Sequence, residues 1–310
     1  MIYHFILNPK SGRPRKHKNL EELIKNACKS RCLSYHIYYT TCPGAATEYV
    51  CSMIRISSER QRFICVGGDG TLNEIVNSAP SNPNVEFGVI PYGSGNDFVR
   101  NFANKEVFSD INAQIDGKTI SLDLIKCNDF YSVNLVNIGF DCACAKFASK
   151  MKKHKFISPQ YSYTLGVLNT FFKKYGTKMK FIFDNGEMWD GCYTLATIAN
   201  GKYYGSGYCA APKADLTDGI IDICAVDKVS RFSLIKLLKC YKAGAYFENE
   251  NAMKIIKHCR VNHFKMEFER PEPICIDGEI KGAKSLEFTV VKNAFNFVVP
   301  TGAAYINELN

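Results

Sequence analysis

Arg62-Phe-Ile-Cys-Val-Gly-Gly-Asp-Gly-Thr71 decides how this chain is read. A short apolar run ends abruptly in three glycines and an aspartate, and an apolar-periodic segment restarts at 71–78. That is a buried strand feeding a loop and then a helix, the unit of a parallel sheet. The same rhythm recurs on both sides. Residues 2–7 predict a strand followed by the loop Asn8-Pro-Lys-Ser-Gly12 and a helix over 19–32. Residues 34–40 predict a strand, broken by Pro43-Gly44 before a helix over 45–58. Val85–Pro91 predicts a strand ending in Tyr92-Gly-Ser-Gly-Asn-Asp97.

Beyond about residue 120 the rhythm changes. Strands are expected at 121–127, 130–137, 179–184, 192–199, 219–226, 261–268, 273–277, 286–291 and 295–299, and helices only at 143–175 and 230–258. The fold class is therefore α/β plus β: an α/β first domain over 1–122, and a second, mostly β domain over 123–299 forming a sandwich or an irregular barrel. No Gly/Ser linker separates them, so a tight hinge or cleft is expected.

The chain has 310 residues, 46% hydrophobic and 22% charged, which excludes a disordered or fibrous protein. No apolar run reaches the length of a membrane-spanning helix, and the start has no signal-peptide pattern. Fourteen scattered cysteines form no CxxC pair, and Cys65, Cys127, Cys224 and Cys275 sit in apolar stretches. They read as buried thiols of a cytoplasmic protein. Cys28, Cys32 and His36 lack a fourth ligand and the spacing of a zinc motif.

The net charge of +9 is concentrated. Residues 143–183 hold nine lysines and 228–247 hold five basic residues, neither with an acid. In 158–175 and 230–246 the basic residues interleave with apolar ones at helical spacing. Such a helix either packs on the core with a solvated basic face or lies on an anionic bilayer. No nucleic-acid-binding pattern accompanies the charge.

Three loops follow three strands at their carboxyl ends, where open α/β sheets bind ligands. Glycines let backbone N–H groups approach phosphate, and a following helix adds its dipole. Asp69 would repel phosphate unless a cation lay between them, which implies Mg²⁺ bridging to a nucleotide. The loop at 93–97 reads either as a ligand loop or as a helix start capped by Asn96 or Asp97. Neither GxxxxGK[ST] nor GxGxxG is present. In the second domain, Ile274–Ile280 predicts a hairpin turning at Asp277-Gly278. It reads either as that alone or as a device that lets Glu279 remove a proton from an acceptor hydroxyl, with Asp277 beside it. The stretch 211–219 is a turn or a cation-binding loop.

Taken together, NPKSG (8–12), GGDGTLNEI (67–75) and PYGSGNDF (91–98), with Asn137–Asp141, Asn200–Gly207, AAPKADLTDG (210–219) and IDGE (276–279), resemble the diacylglycerol kinase catalytic-domain family in its bacterial soluble lipid-kinase branch. The resemblance covers nearly the whole chain. It implies an N-terminal domain like that of NAD kinases and phosphofructokinases, a C-terminal β-sandwich, a nucleotide cleft between them, and a chain end (300–310) that returns to the first domain. It implies ATP contacts at Asn8, Lys10, Ser11, Gly12, Thr40, Gly67, Gly68, Asp69, Gly70, Thr71, Asn73 and Ser94. Asp69 would help hold a catalytic Mg²⁺, Glu279 would be the general base supported by Asp277, and a second, structural Mg²⁺ would sit on the Asp218 carboxylate and the carbonyls of Asp215 and Ile220. Ser206 and Ala45 depart from the family's usual residues, neither at a proposed catalytic group. The implied reaction is phosphoryl transfer to a lipid hydroxyl such as that of diacylglycerol, by an enzyme peripheral to an anionic membrane; a homodimer is compatible with this. NAD kinase shares GGDGT, but NPKSG and GSGND argue against it, and the intact Asp69, Asp277 and Glu279 argue against a catalytically silent regulator.

Overall fold

The computed structural model describes residues 1–11, 14–151, 165–166, 169–170 and 176–308. The chain forms two compact units, Met1–Asp123 with Lys292–Asn310, and Leu124–Val291. The returning segment thus starts at Lys292, before the expected position 300.

The first unit is a parallel sheet in the order β2 (Ser34–Tyr39), β1 (Ile2–Leu7), β3 (Gln61–Gly67), β4 (Val85–Pro91). The strands β1, β3 and β4 are buried on both faces, as inner parallel strands must be, while the edge strand β2 has no fully buried residue. The helices α1 (Pro14–Ser30), α2 (Ala45–Ile56) and α3 (Asp69–Ser78) connect them. Helix α1 begins before the expected residue 19, at Pro14, whose fixed φ suits a first helical position. Phe5, Leu7, Ile24, Ile64, Val66 and Ile90 build one core. Arg62 is buried in the sheet, where Nε donates to Glu86 Oε2 (2.8 Å) and the guanidinium also donates to the carbonyls of Gln114, Ile115 and Gly117.

The returning segment completes this unit. Phe297 pairs in parallel register with Phe87 of β4. Its rings join an aromatic cluster: Phe98 lies 5.0 Å from Phe297 and 6.0 Å from Phe295, and Phe102 lies 5.6 Å from Tyr305.

The second unit is antiparallel. The strands Leu135–Gly139, Met188–Ala199, Thr177–Phe183 and His263–Ile276 pair around a ring, because two of them change partner along their length. Residues 188–193 pair with 177–182, and 195–199 pair with 135–139, across a register shift between Tyr193 and Leu195. The other change falls between Glu267 and Glu272. Such shifts bend strands and turn sheet corners. Phe181, Tyr193, Phe264 and Phe288 fill the space enclosed. Ile221–Asp227 and the edge strand Ile256–Val261 extend the sheet.

Four expectations change. The separate strands 261–268 and 273–277 are one strand, with Pro271 inside the register shift, where a missing N–H costs no ladder bond. The strands at 286–291 and 295–299 are one strand, Glu279–Val299, in which Asn293 takes a left-handed φ of 53° and donates its N–H to Asp123. The single strand 130–137 is two, interrupted where backbone N–H groups turn toward Asp277. The helix expected over 230–258 ends at Ala243, capped by Gly244 at φ 73°, and 256–261 is strand. The helix expected over 143–175 is observed as Phe140–Met151; most of its remainder, with the amphipathic pattern at 158–175, lies outside the described residues.

All fourteen cysteines are free thiols, with Cys65, Cys127, Cys224 and Cys275 buried. Among the described residues no helix is long and apolar enough to cross a membrane, and no three His, Cys, Asp or Glu side chains are grouped to hold a metal, Cys28–Cys32–His36 included.

Candidate active site

The first unit gathers its three loops at the carboxyl ends of β1, β3 and β4. Asn8 donates its N–H to the Val66 carbonyl (3.0 Å), and its Nδ2 reaches Thr71 Oγ1 (3.1 Å). Its Oδ1 accepts the Lys10 N–H, and its carbonyl accepts the Ser11 N–H. Lys10 is exposed, and buried Thr40 donates its N–H to the Leu7 carbonyl. Gly12 lies outside the described residues. The Gly67 carbonyl accepts the N–H groups of Tyr92 (2.7 Å) and Gly93 (3.0 Å), locking the second loop to the third.

The glycines here are required by contact. A Cβ on Gly93 would stand 2.4 Å from Gly68 Cα, and one on Gly67 would stand 2.7 Å from Thr71 Oγ1. Backbone lies on backbone, so the loop between them stays narrow. Helix α3 starts there, with Gly68 as its cap and Asp69 and Gly70 in its first turn. Unsatisfied N–H groups and the positive dipole end of a helix make this an anion-binding position. Asn73 lies half-buried on α3, and Ser94 is exposed on the third loop.

The Asp69 carboxylate ties the loops further. Its Oδ1 accepts the Phe98 N–H at 3.1 Å. Its Oδ2 faces Gly95, where a Cβ would come within 3.0 Å. One carboxylate oxygen beside a narrow glycine cradle fits a Mg²⁺ ion that completes its shell with phosphate and water. The 93–97 loop does not form the capped helix start. Neither side chain caps the short helix Phe98–Asn101; Asn96, at φ 49°, closes its own loop through Gly93, and Asp97 accepts from Arg100 Nε.

In the second unit, Asp277 and Glu279 share one hairpin. Ile276 pairs with Glu279, and the turn takes φ 45° at Asp277 and 96° at Gly278, both positive as a tight type I′ turn requires. Asp277 Oδ1 accepts from Ser132 Oγ (2.8 Å), Asn134 N (3.1 Å) and Leu135 N (2.9 Å), and Oδ2 from Val133 N (2.7 Å). Four donors on one carboxylate fix the turn to the 132–135 loop. They also satisfy backbone N–H groups that no sheet ladder takes. Glu279 is exposed and, among the described residues, meets no hydrogen-bond or ion-pair partner. Asp277 is built to hold, and Glu279 is left available to react.

At the expected second cation site, the Asp218 carboxylate is engaged by protein groups. Asp218 Oδ1 accepts the Ile220 N–H at 2.9 Å, while Oδ2 pairs with Arg260, which also donates to buried Asp222. Asp215 Oδ1 accepts both the N–H and the hydroxyl of Thr217. Burial pushes the Asp218 carboxyl up from its ordinary value, against the pull of Arg260. No step is assigned to a second Mg²⁺.

Sequence reasoning missed the Phe98 N–H, the 132–135 donors and Arg260. Only the Asp277-Gly278 pair, which favours a turn of positive φ, hinted at one of them.

Comparisons with known proteins agree with this division. The diacylglycerol kinase catalytic domain is matched over residues 3–127, and the YegS C-terminal NAD kinase beta sandwich-like domain over 134–299. A diacylglycerol kinase of Bacillus subtilis is 26% identical, over 95% of each chain. One from Staphylococcus carnosus is 25% identical, over 95% of this chain and 94% of that one. The crystal structure of a diacylglycerol kinase from Bacillus anthracis superposes with a TM-score of 0.71 at 20% identity, covering 96% of this chain and 97% of that one.

Proposed function

The chain belongs to the diacylglycerol kinase catalytic-domain family, as a lipid kinase of its bacterial branch, and from that premise we propose that it transfers the γ-phosphate of ATP to the hydroxyl of diacylglycerol or a related lipid alcohol. The product is phosphatidic acid or its analogue. What supports this reading most is the cradle of Gly67, Gly68 and Gly93 at the start of α3, with Asp69 at its edge.

In this proposal the first unit holds the nucleotide. Phosphates lie against the N–H groups of residues 68–70, where the α3 dipole favours negative charge. Asn8, Lys10, Ser11, Thr40, Asn73 and Ser94 surround the nucleotide, with Gly12 beyond the described residues. Asp69 would hold Mg²⁺, which when bound would offset the charge on the phosphates. Glu279 takes the proton of the acceptor hydroxyl as the oxygen attacks phosphorus and the bond to the departing ADP breaks. Asp277 keeps the Glu279 turn in place. The enzyme works in the cytoplasm at the surface of an anionic membrane, where a lipid alcohol and ATP can meet.

The test is transfer from labelled ATP·Mg²⁺ to a panel of lipid alcohols in mixed micelles, with NAD as a control acceptor. A labelled lipid is expected. Asp69→Asn keeps an acceptor for the Phe98 N–H yet should abolish turnover, and Glu279→Gln should lower kcat by at least about a hundredfold with ATP binding retained. Labelled NAD, or an active Asp69→Asn enzyme, would overturn the proposal.

A further inference from the structure

The helix Arg231–Ala243 presents a face that its own unit does not use. Leu234 and Tyr241 point inward, packed with Leu195, Val226 and Tyr246. At 100° per residue, the opposite side carries Phe232, Ile235, Lys236, Lys239 and Lys242 in one stripe, about 15 Å long. Phe232 is 80% exposed and Ile235 53%. Single exposed apolar residues are ordinary. Here two stand one turn apart at the N-terminal end of a stripe that continues as lysines, and the twenty residues 228–247 contain no acid. Lys242 also lies 5.2 Å from the Tyr208 ring, which keeps that end of the stripe close to the body of the unit.

We propose that this helix is the membrane-docking element, lying on a bilayer that contains anionic phospholipid, with Phe232 and Ile235 entering the acyl boundary and Lys236 and Lys239 against the headgroups. The proposal deepens the lipid-kinase reading and rests on it for its purpose, since the substrate resides in a bilayer. The charge selects the occupant: a lysine near an anionic surface strengthens binding by roughly fivefold, and a protein partner would have to supply a matching acidic stripe. The aromatic and the branched side chain add the apolar anchor that a purely electrostatic contact lacks.

The test is flotation of the whole protein with phosphatidylcholine vesicles, with and without phosphatidylglycerol. The parent should bind only the anionic vesicles. Lys236→Glu with Lys239→Glu should weaken binding by more than about tenfold. Phe232→Ser with Ile235→Ser should weaken it by about tenfold or more, an effect that added salt does not erase. All four side chains are exposed, so the variants should keep the parent's melting temperature. The chain's single tryptophan is Trp189, so Phe232→Trp in a Trp189→Phe background gives a local probe whose emission should shift to the blue on anionic vesicles. Vesicle binding is read without turnover, so it stands or falls separately from the kinase assay. Variants that bind vesicles as the parent does would overturn the proposal. So would variants that only convert a dimer to monomers, which would make this face a contact between two copies.

Discussion

Replacing Asp277 by asparagine tests the anchor of the Glu279 turn. Asparagine tolerates the positive φ at this position, so the backbone is left unstrained. Its carbonyl oxygen can take the place of Oδ1 and keep the bonds from Ser132, Asn134 and Leu135. Its amide must then face the Val133 N–H, 2.7 Å from the present Oδ2, donor against donor. One N–H left without an acceptor costs about 1–3 kcal/mol, and three bonds lose the help of a charge. The expected total is about 3 kcal/mol, or about 6–12 °C in the melting transition of the second unit. Because the turn positions Glu279, kcat should fall about ten- to a hundredfold while ATP affinity, which the proposal assigns to the first unit, stays unchanged. Calorimetry and steady-state kinetics on the same preparation read both. A variant that melts within about 2 °C of the parent would refute the argument that these four bonds fix the turn.

Three further outcomes are expected. Gly93→Ala forces a Cβ to within 2.4 Å of Gly68 Cα, so the two loops must part; stability should drop by about 1–3 kcal/mol, and titration calorimetry should show weakened ATP binding. Arg62→Met removes the buried partner of Glu86, leaving only Arg60 at the strand's edge, and should cost about 3–5 kcal/mol in denaturant unfolding of the first unit. His4, buried beside His36, is held down to about 4 from its ordinary 6.5. The unfolded chain therefore takes up this proton first: stability is unaffected above pH 6.5 and is lost as pH falls toward 4, by about 1.4 kcal/mol per unit. His4→Phe should remove that part of the acid limb in pH-dependent unfolding.

The α/β unit was legible because its signals are local: an apolar run, a glycine loop, a helix. The hairpin at Asp277-Gly278 was legible for the same reason. What sequence could not show were partners brought from afar. The Asp277 donors lie more than a hundred residues upstream, and Asp69 meets Phe98 across a neighbouring loop. Local cues also misled. The break expected over residues 269–272 is a bulge within one strand, because a proline such as Pro271 looks alike at a strand end and at a bulge. The stretch after 243 reads as helix because periodicity does not announce the left-handed Gly244 that stops it. At Asp218 the acidic pattern gave no hint of the guanidinium from residue 260 that pairs with it.

The aromatic cluster of Phe98, Phe102, Phe295, Phe297 and Tyr305 sets an order of assembly. During synthesis the first 123 residues emerge long before the strand that flanks β4 exists. The inserted unit, by contrast, is continuous in sequence and can close on its own. Phe87 and Phe98 must wait for the segment Lys292–Asn310, and with Phe98 waits the N–H that steadies Asp69. A nascent chain therefore completes its inserted unit first and the glycine loops around Asp69 last, so a protein cut short near its end would be translated almost whole and still lack the contact that settles Asp69.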